Sequence, residues 1–267
     1  VLKLEWMKAS RKVIESLVRA TVLSVVSSAA CFAANGDVSS VLEDAKLYVT
    51  APIRWDQRDW LYAGGSIVAI AASHHYDNQV RQHFAVSGTL DTKDTHSTKD
   101  ALPAAAAVAA TWALAFVWDD RAGYQETRDM LEAGTFSVAS TLVLKQLARR
   151  QRPNETSNSN GWFKGGSSFP SLHVSAAMAI GTVLAESGGD DYRWVRRGLG
   201  YGLGIATGYA RLQHHQHWLS DTVAGAALGM ATARFVLNRH TPGGEYSSLM
   251  LAPADGGVML SYSAAFH

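Results

Sequence analysis

Three short stretches of this sequence hold residue types that could act together on one anion. The first is Lys145, followed seven residues later by Arg152 and then Pro153. Seven residues on a helix make about two turns, so both cations would face one side. Pro153 disfavours helix at Arg152 and closes the segment. Two long cations at a helix end would grip a multiply charged anion. A solvated basic face is the competing reading, because Arg149 and Arg150 lie between them.

The second stretch is Phe169-Pro170-Ser171-Leu172-His173, directly before an apolar run from Val174. The first N–H groups of a helix starting here lack intrahelical partners and point at any anion placed there. Ser171 adds a hydroxyl, either for that anion or as a capping group. His173 has an ordinary pKa near neutrality and could donate a proton to a leaving oxygen. The third stretch runs from Arg211 through His214, His215 and His217 to Asp221. His217 and Asp221 are four residues apart, so on a helix their side chains meet. A carboxylate on one imidazole nitrogen fixes the tautomer and leaves the other nitrogen as a nucleophile. Arg211 is off that face, and a bend before His217 would let both converge. A metal site from His214, His215 and His217 is the alternative, but adjacent histidines do not share a face. Cations, oriented N–H groups, a hydroxyl and two histidines suit a phosphoryl group, whose equatorial oxygens need electrostatic stabilisation.

The order Lys145-x6-Arg152-Pro153, Pro170-Ser171-Leu172-His173 and Arg211-x5-His217-x3-Asp221 resembles the type-2 phosphatidic-acid phosphatase and vanadium haloperoxidase superfamily, in the manner of a bacterial acid-phosphatase-like member. The resemblance departs at Leu172, where the family usually has Gly, and at Ala210, where it usually has Ser. Leu172 keeps its N–H but adds a side chain that would narrow the pocket. The resemblance implies an attack by His217 on phosphorus to form a phosphohistidine, with Asp221 orienting it. It implies that His173 protonates the leaving group and then activates water. Lys145, Arg152, Arg211, Ser171 and the Leu172 N–H would bind the phosphoryl oxygens, with no metal and no cofactor. A vanadate-dependent haloperoxidase would use the same pocket, with vanadate as cofactor rather than inhibitor. A non-catalytic phosphate- or lipid-binding relative is a third reading, suggested by Leu172.

These residues need helices to hold them. Charge-free or nearly charge-free runs at 60–73, 101–118, 133–144, 174–185, 198–210 and 222–236 are rich in Ala, Leu and Met and lack period-2 alternation. They predict an all-α bundle of about six core helices within 60–236. Polar connectors are expected at 78–100, 119–131, 154–168 and 186–197. Within the third of these, Trp162, Phe163 and Lys164 either touch the leaving group or anchor a surface loop. The histidines His74, His75, His83 and His96 lie outside the three motifs and read as structural or surface residues. In the tail 240–267, two apolar runs flank Pro253-Ala-Asp-Gly-Gly257, the pattern of a short β-hairpin.

Composition narrows the class further. The 267 residues are 47% hydrophobic and 18% charged with a formal net charge of +1, which excludes a disordered chain. One cysteine excludes a disulfide scaffold, and the charge balance offers no strongly basic face for nucleic acid. A mean hydropathy of −0.03 argues against a chain made mostly of membrane spans. Met7, the basic Lys8–Lys12 region and the uncharged run Ala20–Ala34 read as a signal peptide over 1–33, with a retained anchor or lipid attachment at Cys31 as alternatives. The expectation is therefore one exported phosphatase domain over 34–267. It would be periplasmic and act on a phosphorylated small molecule or a lipid phosphate or diphosphate, with peripheral membrane contact in the lipid case.

Overall fold

A computed structural model describes residues 38–85, 97–189, 192–240, 248–254 and 257–263. The proposed signal segment 1–33 and His96 lie outside the described residues. The chain divides into one unit up to Thr50 and a second from Ala51 onward. The first contains helix α1, Val38–Val49. The second opens with a short 3-10 turn at Ala51–Arg54 and then holds α2 (Gln57–His75), α3 (Asp77–Ala85), α4 (Ser97–Trp118), α5 (Arg121–Ala148), α6 (Leu172–Glu186), α7 (Arg193–Gln213) and α8 (Leu219–His240). Two antiparallel strands follow, β1 (Ser248–Ala254) and β2 (Gly257–Ser263), with Ser248 opposite Ser263 and Ala254 opposite Gly257. The all-α class is correct, and each of the six apolar runs lies within one of the six long helices of the second unit.

Three connector boundaries need correction. Helix α3 occupies the start of the 78–100 segment, α5 begins ten residues before the 131 boundary, and α7 begins at Arg193. Local capping explains the early start of α5. Asp120 accepts from the Ala122 N–H at 3.0 Å and so satisfies one of the free donors of the first turn. Its polar residues were misleading because Thr127, Asp129 and Glu132 are buried rather than solvated. At α2, Asp56 and Asp59 form a reciprocal capping box, with bonds of 2.8–3.2 Å.

Helix α6 is apolar on nearly all sides and runs through the core, packed by α5, α7 and α8. Val174, Ala177, Ala179 and Val183 on it are almost completely buried. Close approach needs missing side chains. A Cβ on Gly181 would collide with the Gly200 carbonyl of α7, and one on Gly225 of α8 would lie 2.7 Å from the Ser171 carbonyl. Gly181→Ala should therefore destabilise the fold by roughly 1–3 kcal/mol, the usual cost of overpacking. Thermal unfolding of that variant checks the crossing, and an unchanged midpoint would mean the helices do not meet there.

Helix α4 differs from α6. Among the described residues, Lys99–Trp118 is long and apolar enough to cross a membrane by length and composition. Only 11% of its most apolar stretch is buried. Trp112, Phe116, Val117 and Trp118 are all exposed, and the Trp112 and Phe116 rings stack at 5.6 Å.

Candidate active site

The three motifs converge at one end of α6. Lys145 lies in the last turn of α5, where it is 9% exposed. The helix then stops at Arg149, which takes a left-handed conformation with φ 45°. Arg152 is thus beyond the helix, and the expected two-turn alignment with Lys145 does not occur. A loop brings them together instead. It folds back on the helix end through Gln151 N–H to Gly161 O at 2.9 Å, Phe163 N–H to Ala148 O at 3.0 Å and Ser168 N–H to Arg150 O at 2.8 Å. This return sets the Ser167 carbonyl 2.5 Å from the Lys145 ammonium. Arg152 donates through Nη1 to the Gln216 side chain, next to His217.

The loop ends at a cis Phe169–Pro170 bond, and Ser171 is the N-cap residue of α6. Ser171 does not use its hydroxyl to cap the helix. Its Oγ is buried with no hydrogen-bond partner among the described residues. A buried hydroxyl without a partner is costly, and a bound acceptor oxygen would relieve that cost. Leu172 and His173 are the first two residues of the helix and are half-buried.

Arg211 and His217 come from opposite sides of the expected bend. Helix α7 ends at Gln213, His215 adopts φ 54°, and α8 starts at Leu219. His217 consequently precedes α8, while Asp221 lies in its first turn. Their approach is made across a helix start rather than along a helix face. His217 Nδ1 stands 3.7 Å from Asp221 Oδ2, which is longer than a hydrogen bond. That nitrogen has no hydrogen-bond partner among the described residues. Catalytic hydrogen bonds are often long before substrate binds.

Arg211 is fully buried, and its Nη1 donates to Asp100 Oδ2 at 2.8 Å. Asp100 lies in the first turn of α4, so the exposed apolar helix reaches the site through this ion pair. His214 Nδ1 is 3.3 Å from the same oxygen. His214 and His217 thus face different carboxylates.

Electrostatics reflects the same convergence. Burial holds the His217 imidazole well below its ordinary value of 6.5, and Lys145, Arg211, Arg152 and His173 add to the effect. All five groups are residues of the three motifs. His217 is therefore neutral at neutral pH, as a nucleophilic imidazole must be. Asp221 is subject to opposing effects. Burial pushes its carboxyl up, while Arg150, Ser168 and the Trp218 N–H favour the ionised form.

Four contributors escaped the motif reading. Arg150, which the competing reading put on a solvated face, is completely buried and donates to Asp221 Oδ1 at 2.6 Å. Ser168 donates to Asp221 Oδ2 at 2.5 Å. Asp77 pairs with Arg150 at 2.7 Å, and Asp100 pairs with Arg211. A buried cation cluster requires carboxylates nearby, but spacing alone does not say which of them answer. Of the two readings for His74, structural or surface, the structural one holds. His74 contacts Asp77 at 2.7 Å and Asn160 at 2.9 Å. In the loop, Trp162 lies over the Arg150 guanidinium at 4.4 Å, whereas Phe163 and Lys164 are exposed.

Residues 127–242 match the family model described as the PAP2 superfamily. The match encloses all three motifs and leaves Asp77 and Asp100 outside. No curated protein and no solved structure matches the chain.

Proposed function

Because residues 127–242 belong to the PAP2 superfamily, we propose that this protein is a metal-independent phosphatase that works through a phosphohistidine on His217. The observation that carries the reading is the buried His217, its Nδ1 3.7 Å from Asp221, in a site where burial and the charges of Lys145, Arg211, Arg152 and His173 hold its imidazole below the ordinary value. The three permanent cations hold the phosphoryl oxygens of the substrate, with the Ser171 hydroxyl and the Leu172 N–H at the start of α6. A His217 nitrogen attacks phosphorus, and the bond to the leaving oxygen breaks. His173 gives that oxygen its proton. Asp221 stabilises the imidazole, which becomes cationic as the new N–P bond forms. In the second step His173 takes a proton from water, the water oxygen attacks phosphorus, and His217 leaves.

Helix α4 favours a lipid phosphate over a small soluble ester. Its apolar side is exposed, and its first turn holds Asp100 against Arg211. A phosphate headgroup at Arg211 would leave its hydrocarbon chains close to an apolar helix, at a peripheral membrane contact. The signal-like segment 1–33 and the family resemblance support export to the periplasm as part of this proposal. Phosphate release from a dispersed lipid phosphate and from an aryl phosphate, side by side with EDTA present, tests these statements. EDTA-resistant release from the lipid in preference to the aryl ester is the expected result. Preference for the aryl ester would remove the lipid assignment, and loss of release in EDTA would remove the metal-independent mechanism.

The state of His217 also sets a pH dependence. Its protonation blocks attack, so the acid limb of kcat/KM should fall below pH 6.5, the ordinary imidazole value. Between the lowered value and 6.5, the unfolded chain binds a proton that the folded site refuses. Stability contributed by this group therefore falls as pH drops through that window. A pH–rate profile with its acid limb above 6.5 would show that the essential base is a different group.

A further inference from the structure

We propose that Arg150 is a positioning residue, which sets the Asp221 carboxylate against His217 by bridging it to Asp77. The inference rests on the reading of His217 as nucleophile and Asp221 as its partner. Arg150 is completely buried, as are Asp77 and Asp221. Its guanidinium fork is divided between the two acids. Nη1 donates to Asp221 Oδ1 at 2.6 Å, and Nη2 donates to Asp77 Oδ2 at 2.7 Å. Nη1 also donates to the Ser220 hydroxyl at 2.8 Å, Nε and Nη2 donate to the Ser159 carbonyl at 3.1 Å and 2.7 Å, and Nη2 lies 3.1 Å from His74 Nδ1.

The arrangement fixes which carboxylate oxygen His217 meets. Arg150 occupies Oδ1, so Oδ2 is the oxygen left toward Nδ1, at 3.7 Å. Ser168 and the Trp218 N–H hold that second oxygen at 2.5 Å and 2.9 Å. Asp77 also grips the start of α8 directly, accepting from the Ser220 N–H at 2.8 Å and from its hydroxyl at 2.7 Å. The first turn of α8 is thus tied to α3 through Ser220 and through Arg150. A planar fork can span two carboxylates in this way, whereas a single ammonium cannot.

A double-mutant cycle separates positioning from general support of the fold. Arg150→Lys keeps the charge, and its folding is followed by circular dichroism and thermal unfolding. The expected result is a fall in kcat of about tenfold to a hundredfold, typical for a group that orients a reacting residue, with KM within about twofold. In the Asp221→Asn background the same change should cost little more, because the route to His217 is already cut. Normal kcat in Arg150→Lys, or an equal loss in both backgrounds, overturns the inference. If Arg150→Lys does not fold, Asp77→Asn releases the other end of the bridge and is read in the same cycle. Asp221→Asn alone with normal kcat would overturn the assignment of Asp221 itself, and this inference with it.

Discussion

Replacing His217 with alanine should lower kcat by about 10⁴-fold or more, the scale seen when a covalent nucleophile is removed. Little else in the pocket can substitute for it. His173 sits at the start of α6, where its task is proton transfer to and from oxygen. The cations bind phosphate without forming a bond to it. The side chain is 3% exposed and lacks a hydrogen bond at Nδ1 among the described residues. Its removal therefore breaks no hydrogen bond of that atom, and the fold should survive. Circular dichroism and thermal unfolding of the variant establish this alongside turnover. Residual activity above about one per cent would remove His217 as nucleophile.

Arg211→Lys should be nearly as severe, with kcat/KM down by about 10²–10³-fold, the loss expected for one strong oxyanion donor. Arg211 is fully buried and already shares its guanidinium with Asp100. Its planar fork carries several donors, so it can serve that carboxylate through Nη1 and a phosphoryl oxygen as well. A lysine has one charge centre and cannot serve both. If the ammonium stays on Asp100, the phosphate loses a ligand. If it turns to the phosphate, Asp100 is left buried without its partner, which is costly in itself. Steady-state kinetics on the lysine variant decide the matter, and a near-normal kcat/KM would place Arg211 outside the pocket.

How much of this was legible beforehand depends on which interactions are local. The helices could be read because apolar runs of Ala, Leu and Met without alternation have few other outcomes. The motif residues could be read because each motif is short and its chemistry is carried by side-chain type. Their placement was harder to foresee. Lys145 and Arg152 were expected on one helix, yet Arg149 ends α5 and the loop to Ser168 does the joining. His217 and Asp221 were expected on a helical face, yet α8 begins between them. The counter-ions were not legible at all. Asp100 is 111 residues from Arg211 in sequence, and Asp77 is 73 from Arg150. Nothing local distinguishes either carboxylate from those on the surface. Arg150 was hidden for the opposite reason. It stands in a run of basic residues, and only the fold separates it from exposed Arg149.

The central claim is a covalent phosphoryl group on His217, and rapid-quench trapping tests it most directly. Enzyme mixed with a phosphate-labelled aryl phosphate in EDTA would be quenched in base within a turnover and digested. The expected result is an acid-labile, base-stable label on the peptide containing His217, formed and lost at rates that match turnover and absent from His217→Ala. Turnover with no protein-bound phosphate at any time, or with label on another residue, would contradict it.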